Sequence, residues 1–62
     1  METKLENARK EAGLTKYMLA KKAGVTEPAI RKWEKNGTRK AYAGHLAKVA
    51  RVLGYSVDEL ID

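Results

Sequence analysis

The 62-residue sequence contains no cysteine and only one histidine and one proline. Without cysteine the chain forms neither a disulfide nor a thiolate metal site, and one histidine cannot build a zinc site by itself. No apolar run approaches the roughly 20 residues that a membrane-spanning helix needs. The N-terminus, METKLENARKE, is charged throughout and therefore does not resemble a signal peptide. We expect a cytoplasmic protein without a metal, a cofactor or a membrane partner.

The sequence also lacks the patterns on which most enzymes depend. It has a single serine, no cluster of histidines or carboxylates, no phosphate-binding loop and no dinucleotide fingerprint. Glu6 and Glu11 are spaced as surface charges rather than as an acid/base pair. We therefore expect no catalytic residues.

The composition favours one compact domain, residues 1–62, because 44% of the chain is apolar and 34% is charged. The net charge of +5 is unevenly distributed. Residues 9–22 and residues 31–40 each carry five basic residues against one glutamate, whereas residues 55–62 carry three acidic residues and no basic one. A basic body with an acidic end indicates a polyanion partner that is contacted by one face. A solvated lysine-rich surface is the alternative.

Helical spacing and helix-ending glycines predict five short helices, and no strand pattern is present. The first begins at a capping box, Thr3 to Glu6, and places Leu5, Ala8 and Ala12 on one face. The other four are predicted from Thr15 as cap to about Ala23, roughly Glu27 to Lys35, about Ala43 to Leu53, and for a turn or two after Ser56.

The second and third helices have the pattern of a helix-turn-helix motif. Ala20 is small enough for two helices to cross closely, and Gly24 tolerates the positive φ of a tight turn. Val25 is placed to fill the turn, while Ile30 and Trp33 anchor the second helix of the pair. A plain helical hairpin would share two or three of these features by chance, but hardly all of them.

The runs LTKYMLAKKAGVTEPAIRKWE and LAKVARVLGYSVDELI resemble the phage-repressor and Cro-like (Xre-type) helix-turn-helix family, over about residues 5–61. The resemblance implies an all-α, compact five-helix bundle of the lambda-repressor-like DNA-binding type, with the motif at about residues 16–35. It further implies a bacterial or phage-encoded protein that binds a double-stranded DNA operator as a homodimer, either weak or induced by DNA. Family members commonly pair a late arginine of helix one with the glutamate ending the recognition helix. We expect Arg9 and Glu34 to form that pair and to orient the helix.

The outward residues of the third helix are Glu27, Pro28, Arg31 and Lys32, which we expect to contact base edges in the major groove. Arg31 can donate two hydrogen bonds to a guanine, and Glu27 can accept one from a cytosine. Pro28 either touches a thymine methyl group or serves only to start the helix. Since proline disfavours helical geometry in the preceding residue, the helix cap is either Thr26 or Glu27.

Flanking residues are expected to contact phosphates. Lys16 occupies a position where the family often has a phosphate-binding glutamine, and Tyr17 beside it is either a second contact or a plain surface tyrosine. The segment KNGTRK resembles the family loop that grips the DNA backbone, although here two residues, not one, separate the glutamate from the glycine. The expected contacts there are Lys35, Asn36, Thr38, Arg39 and Lys40.

The beginning of the fourth helix departs from the family. Gly44 is a candidate cap, and His45 is expected to be a surface or helix-start histidine. Tyr55 either forms part of a dimer contact or packs on its own core. Together the patterns predict a sequence-specific transcriptional regulator, expected to be a repressor. The alternative is a helix-turn-helix module whose main partner is a protein, such as an antitoxin-like regulator.

Overall fold

A computed structural model of the chain describes residues 3–61, and these residues form five helices. The helices are α1 (Lys4–Glu11), α2 (Lys16–Ala23), α3 (Glu27–Asn36), α4 (Ala43–Leu53) and α5 (Val57–Leu60). No residue within this described range is in a strand. The all-α, five-helix prediction is confirmed, while Asp62 of the acidic end lies outside the described residues.

Hydroxyl side chains cap four of the five helices. Thr3, Thr15, Thr26 and Ser56 each accept a hydrogen bond from a backbone N–H in the first turn that follows. Such caps satisfy donors that the helix itself cannot satisfy, and each is worth about 1 kcal/mol. These caps fix the helix starts that the sequence predicted.

Thr26, not Glu27, is the cap of α3. Its hydroxyl accepts a hydrogen bond from the Ala29 backbone N–H at 3.3 Å, so Glu27 is the first helical residue and Pro28 the second. The proline is tolerated there because an N–H in the first turn would have had no partner within the helix. The alternative start with Glu27 as cap is therefore wrong.

The start of α4 also differs from the prediction. Tyr42 is the N-cap residue, without a side-chain cap hydrogen bond, and Gly44 lies inside the first turn. The proposed role of Gly44 as a cap is wrong. The aromatic ring of Tyr42 lies against this glycine, since a Cβ added at Gly44 would stand 2.7 Å from a ring carbon.

The core lies where α2 packs against both α3 and α4, with α1 and α5 closing the remaining sides. Among residues 3–61, eleven apolar residues are buried; those with the largest fully enclosed side chains are Leu5, Leu19, Ile30, Leu46, Val49 and Leu60. Ala12 is exposed at the C-terminal cap of α1, which corrects its predicted place on the inner face. Tyr55 is half-buried and packs on the core, so the second of its two predicted roles is the one observed.

The corner between α2 and α3 has the geometry of a helix-turn-helix. Gly24 adopts the left-handed conformation, with φ of 76° and ψ of 28°, where a side chain would be strained. Ala20 and Ala23 are buried at the crossing, and Val25 packs against the core in the turn. This corner fixes the orientation of α3 relative to α2.

Candidate nucleic-acid interface

A buried ion pair holds α3 against α1. The Arg9 guanidinium donates from Nε to Glu34 Oε2 at 2.7 Å and from Nη2 to Glu34 Oε1 at 3.2 Å. A third hydrogen bond joins Nη1 to the Leu14 carbonyl oxygen at 2.8 Å. Because both side chains are about nine-tenths buried, the pair is little screened by solvent. The predicted pair is confirmed, and it connects α1, the following turn and α3.

With one side of α3 fixed in the core, its opposite side faces solvent. Ile30, Trp33 and Glu34 are buried, whereas Pro28, Arg31, Lys32 and Lys35 are exposed and Glu27 is half-exposed. The predicted base-reading residues therefore share one accessible face. Their spacing follows from the 3.6-residue period of the helix.

Glu27 and Arg31 form an ion pair on this face. Arg31 Nη2 lies 3.5 Å from Glu27 Oε1, one helical turn away, and the two side chains are 63% and 38% exposed. An exposed pair at this spacing is worth only about 0.3–0.5 kcal/mol. The guanidinium can therefore leave Glu27 at little cost and bind another acceptor.

The beginning of α2 carries Lys16 and Tyr17. Lys16 is half-exposed and lies directly after the Thr15 cap, and the first turn of α2 contains no acidic residue. Tyr17 is 58% exposed, with the Lys21 ammonium 5.6 Å from its ring centroid. Tyr17 lines a shallow depression together with Met18, Lys21 and Lys22.

The segment after α3 contains one correction to the expected phosphate contacts. Thr38 is only 1% exposed, and its hydroxyl donates a hydrogen bond to the Leu60 carbonyl oxygen. The side chain of Thr38 therefore joins this segment to α5 and is not accessible to a phosphate. Asn36, Arg39 and Lys40 are exposed, and their phosphate contacts stay a prediction. The second residue between Glu34 and Gly37 extends α3 by one position, to Asn36.

A groove of about 490 Å³ separates α3 from the beginning of α4. It brings together three predicted residues, Lys32, Asn36 and Lys40, and adds Tyr42 and His45. The Tyr42 side chain is 69% exposed and meets the His45 ring edge to face, with the centroids 5.0 Å apart.

Sequence reasoning assigned no role to Tyr42 and expected only a surface position for His45. The available signal was an aromatic residue directly after a basic segment and directly before a helix. It was weak, because an aromatic residue in such a place more often belongs to the core. Only the fold shows that both rings border the exposed face of α3.

The arrangement suits a large anion. Cationic side chains from α3 and the following segment line a groove with two aromatic rings, and α2 begins with Lys16 and has no acidic residue in its first turn. Within residues 3–61 no group of three histidine or carboxylate side chains is placed to hold a metal ion. No helix in that range has the length and apolar character needed to cross a membrane.

Comparisons with known proteins agree with this description. The model of the helix-turn-helix family matches residues 5–60. The DNA complex of SinR, a master regulator for biofilm formation, is similar over 94% of this chain and 92% of that chain, with 36% identity and a TM-score of 0.84. The N-terminal DNA-binding domain of SinR from Bacillus subtilis matches with 36% identity and a TM-score of 0.86, over 94% of this chain and 84% of that one.

A more distant likeness connects the chain to part of an enzyme. Hydroxypropylphosphonic acid epoxidase from S. wedmorenis is 25% identical, with a TM-score of 0.79, over 95% of this chain but only 31% of the epoxidase. A search of curated proteins gave no match. With a family match over residues 5–60 and the DNA-binding domain of SinR superimposing on five helices, the chain belongs to the helix-turn-helix family of phage-repressor and Cro-like (Xre-type) domains.

Proposed function

We propose that this chain regulates transcription by binding double-stranded DNA, with the exposed face of α3 in the major groove. The observation that carries the proposal is the rigid presentation of Pro28, Arg31 and Lys32 on a helix that a buried ion pair holds in place. The 36% identity to SinR, whose domain is seen in complex with DNA, supports it.

Base recognition is assigned to the first two turns of α3. Arg31 exchanges its ion pair with Glu27 for two hydrogen bonds to a guanine, an exchange that favours the correct base by about 1–3 kcal/mol. The freed Glu27 carboxylate accepts from a cytosine amino group or repels a misplaced phosphate. Lys32 reads the adjoining base edge, and the Pro28 ring contacts a thymine methyl group.

Phosphate contacts are assigned to the residues that flank α3. Lys16 and Tyr17 contact one strand from the beginning of α2. Lys35, Asn36, Arg39 and Lys40 contact the other strand from the end of α3 and the segment after it. These contacts set the register of the domain on the duplex and carry no base information.

The regulator acts in the cytoplasm as a homodimer that is weak alone and stabilised by its operator. Two copies read half-sites about one helical turn apart, roughly 34–36 Å between centres. Occupying a promoter-proximal operator in this way represses transcription. Nothing in the arrangement of the described residues forms a catalytic set, and the domain is proposed to bind rather than to react.

A protein as the main partner is the less favoured alternative. A SinR–SinI complex is among the similar structures, with 36% identity, but this chain covers only 56% of that chain.

The proposal is tested by selecting binding sequences from a library of random duplexes and measuring the affinity of variants for the selected site. Arg31→Ala is expected to lose about tenfold or more on the selected duplex and little on a random one. Lys16→Ala is expected to weaken both duplexes by a similar factor.

A selection without any enriched sequence would remove the base-reading assignment. Equal losses for Arg31→Ala on the selected and random duplexes would reassign Arg31 to a phosphate. Lys48→Ala, which replaces an exposed lysine of α4 without an assigned DNA contact, serves as the control for Lys16→Ala.

A further inference from the structure

A second basic groove lies between α2 and α4, and α3 contributes nothing to it. Its volume is about 290 Å³, and its walls carry three exposed cations, Lys22, Lys48 and Arg51. Its floor is apolar and consists of Ala23, Ala47 and Val52. Ala23 is buried and Val52 is half-buried against the core, whereas Ala47 is exposed.

The charge of this groove is not neutralised within the described part of the chain. Within residues 3–61, none of these three cations forms an ion pair, and no carboxylate lines the groove. Lys48 and Arg51 stand three residues apart on one helix face, where like charges repel each other. A bound anion would relieve that repulsion.

The position of this groove and its apolar floor distinguish it from the candidate DNA interface. The groove is lined by residues of α2 and α4 alone, whereas the candidate DNA interface is built around the exposed face of α3. DNA contacts are made mainly to phosphate and sugar oxygens, for which a floor of alanine and valine offers no hydrogen-bond donor. An aliphatic side chain, by contrast, would be buried there, between the methylene stems of the lysines and the arginine.

We propose that the α2–α4 groove binds an acidic peptide segment of another protein. One aliphatic side chain of the segment packs on Ala23, Ala47 and Val52, and carboxylates on either side pair with Lys22, Lys48 and Arg51. A short amphipathic helix is the form that presents such a pattern to a groove between helices. This interaction is independent of the DNA-binding role and uses different residues.

The test is a titration of the ¹⁵N-labelled protein with the blocked peptide DELLEELE, monitored by NMR. The control peptide DESSEESE has the same charge but lacks the leucines. Saturable shifts are expected at the amides of Ala23, Ala47 and Val52. We expect the serine peptide to bind about tenfold more weakly, because it cannot bury an aliphatic side chain.

Two double variants with the same change in net charge locate the binding. Lys48→Glu/Arg51→Glu is expected to weaken the leucine peptide about tenfold or more, whereas Lys21→Glu/Lys35→Glu has a much smaller effect. Equal losses in both variants would mean attraction by net charge alone, and shifts centred on α3 would mean binding at the DNA face. Either result, or no binding, overturns the proposal.

Duplex DNA is measured with Lys48→Glu/Arg51→Glu alone, because Lys35 of the other variant is an assigned phosphate contact. If Lys48→Glu/Arg51→Glu reduced the affinity for DNA as strongly as that for the peptide, the groove would be a phosphate site, and the peptide proposal would be wrong. If the DNA-binding role itself is wrong, the unmodified protein will not bind the duplex. That result would not affect the outcome expected for the peptide titration.

Discussion

Replacing Glu34 by glutamine is expected to destabilise the domain by about 3 kcal/mol. The carboxylate accepts two hydrogen bonds from Arg9, at 2.7 and 3.2 Å, and each bond to a charged group is worth about 1.5–3 kcal/mol. A glutamine keeps one acceptor but turns an N–H donor toward the guanidinium. Arg9 then remains buried and positively charged without a counter-ion, which typically costs about 3–5 kcal/mol.

This loss is large for so small a domain. A 62-residue chain is expected to have a free energy of unfolding of about 3–9 kcal/mol, at roughly 0.05–0.15 kcal/mol per residue. The variant would therefore be marginally folded at room temperature. Urea unfolding is measured by the fluorescence of Trp33, which is the single tryptophan and is buried, and by far-UV circular dichroism.

Two further variants separate the effect of the charge from that of the contact. Arg9→Met/Glu34→Leu removes both charges, and such replacements are often close to neutral. Its remaining cost comes from the Leu14 carbonyl oxygen, which loses a donor. Glu6→Gln breaks an exposed ion pair with Lys10 and is expected to cost less than about 0.5 kcal/mol. A loss for Glu34→Gln as small as that for Glu6→Gln would refute the reasoning.

Three other predictions concern single side chains. Thr38→Val is expected to lower the free energy of unfolding by about 1–3 kcal/mol in urea titrations, since it removes a buried hydrogen bond. Thr38→Ser retains that hydrogen bond and should have a smaller effect. Under conditions in which both variants are fully folded, neither change should alter the affinity for DNA. The pKa of Glu59 is lowered below its usual 4.5 by hydrogen bonds from the Ser56 backbone and hydroxyl. Its contribution to stability is therefore fully present above the unfolded pKa and is lost as the pH falls through the lower folded pKa; unfolding curves of Glu59→Gln and the unmodified protein should converge in acid. Glu27→Gln removes a negative charge from the proposed DNA face and releases Arg31 from its ion pair. The affinity for random duplexes, measured by fluorescence anisotropy at low salt, should therefore increase about fivefold. An unchanged affinity would place Glu27 away from DNA.

The helices and the motif corner could be predicted from sequence because local chemistry determines them. Thr15, Ser56 and Gly24 act on their own neighbours, so their positions in the chain are sufficient to place a cap or a turn. The Arg9–Glu34 pair spans 25 residues and was expected only through the family resemblance. No pattern in the chain alone connects those two positions.

The predictions that were wrong concern residues whose burial or position depends on packing between distant segments. The burial of Thr38 depends on α5 lying against the segment after α3, a contact over 22 residues that spacing does not reveal. In that segment a polar residue surrounded by lysines and arginine looks like a surface residue. Gly44 and Tyr42 depend on where the first turn of α4 begins, and an aromatic N-cap gives no local signal for that position.

The grooves also could not be predicted from the sequence. The α2–α4 groove combines Lys22 with Lys48 and Arg51, which are far apart in sequence and belong to helices whose pairing had to be known first. Charge counts over continuous segments included the first of these residues and left out the other two. Only the fold joins them into one surface.

The measurement that tests the central claim most directly is the salt dependence of binding to a duplex. Fluorescence anisotropy of the purified protein with a duplex of about three helical turns gives the affinity at each salt concentration. With four cationic phosphate contacts per protomer (Lys16, Lys35, Arg39 and Lys40), log K should fall against log salt with a slope of about −3.6 per protomer. Lys40→Ala should reduce that slope by about 1, and Lys48→Ala should leave it unchanged. An absence of binding at low salt, or an affinity that does not vary with salt, would contradict the account.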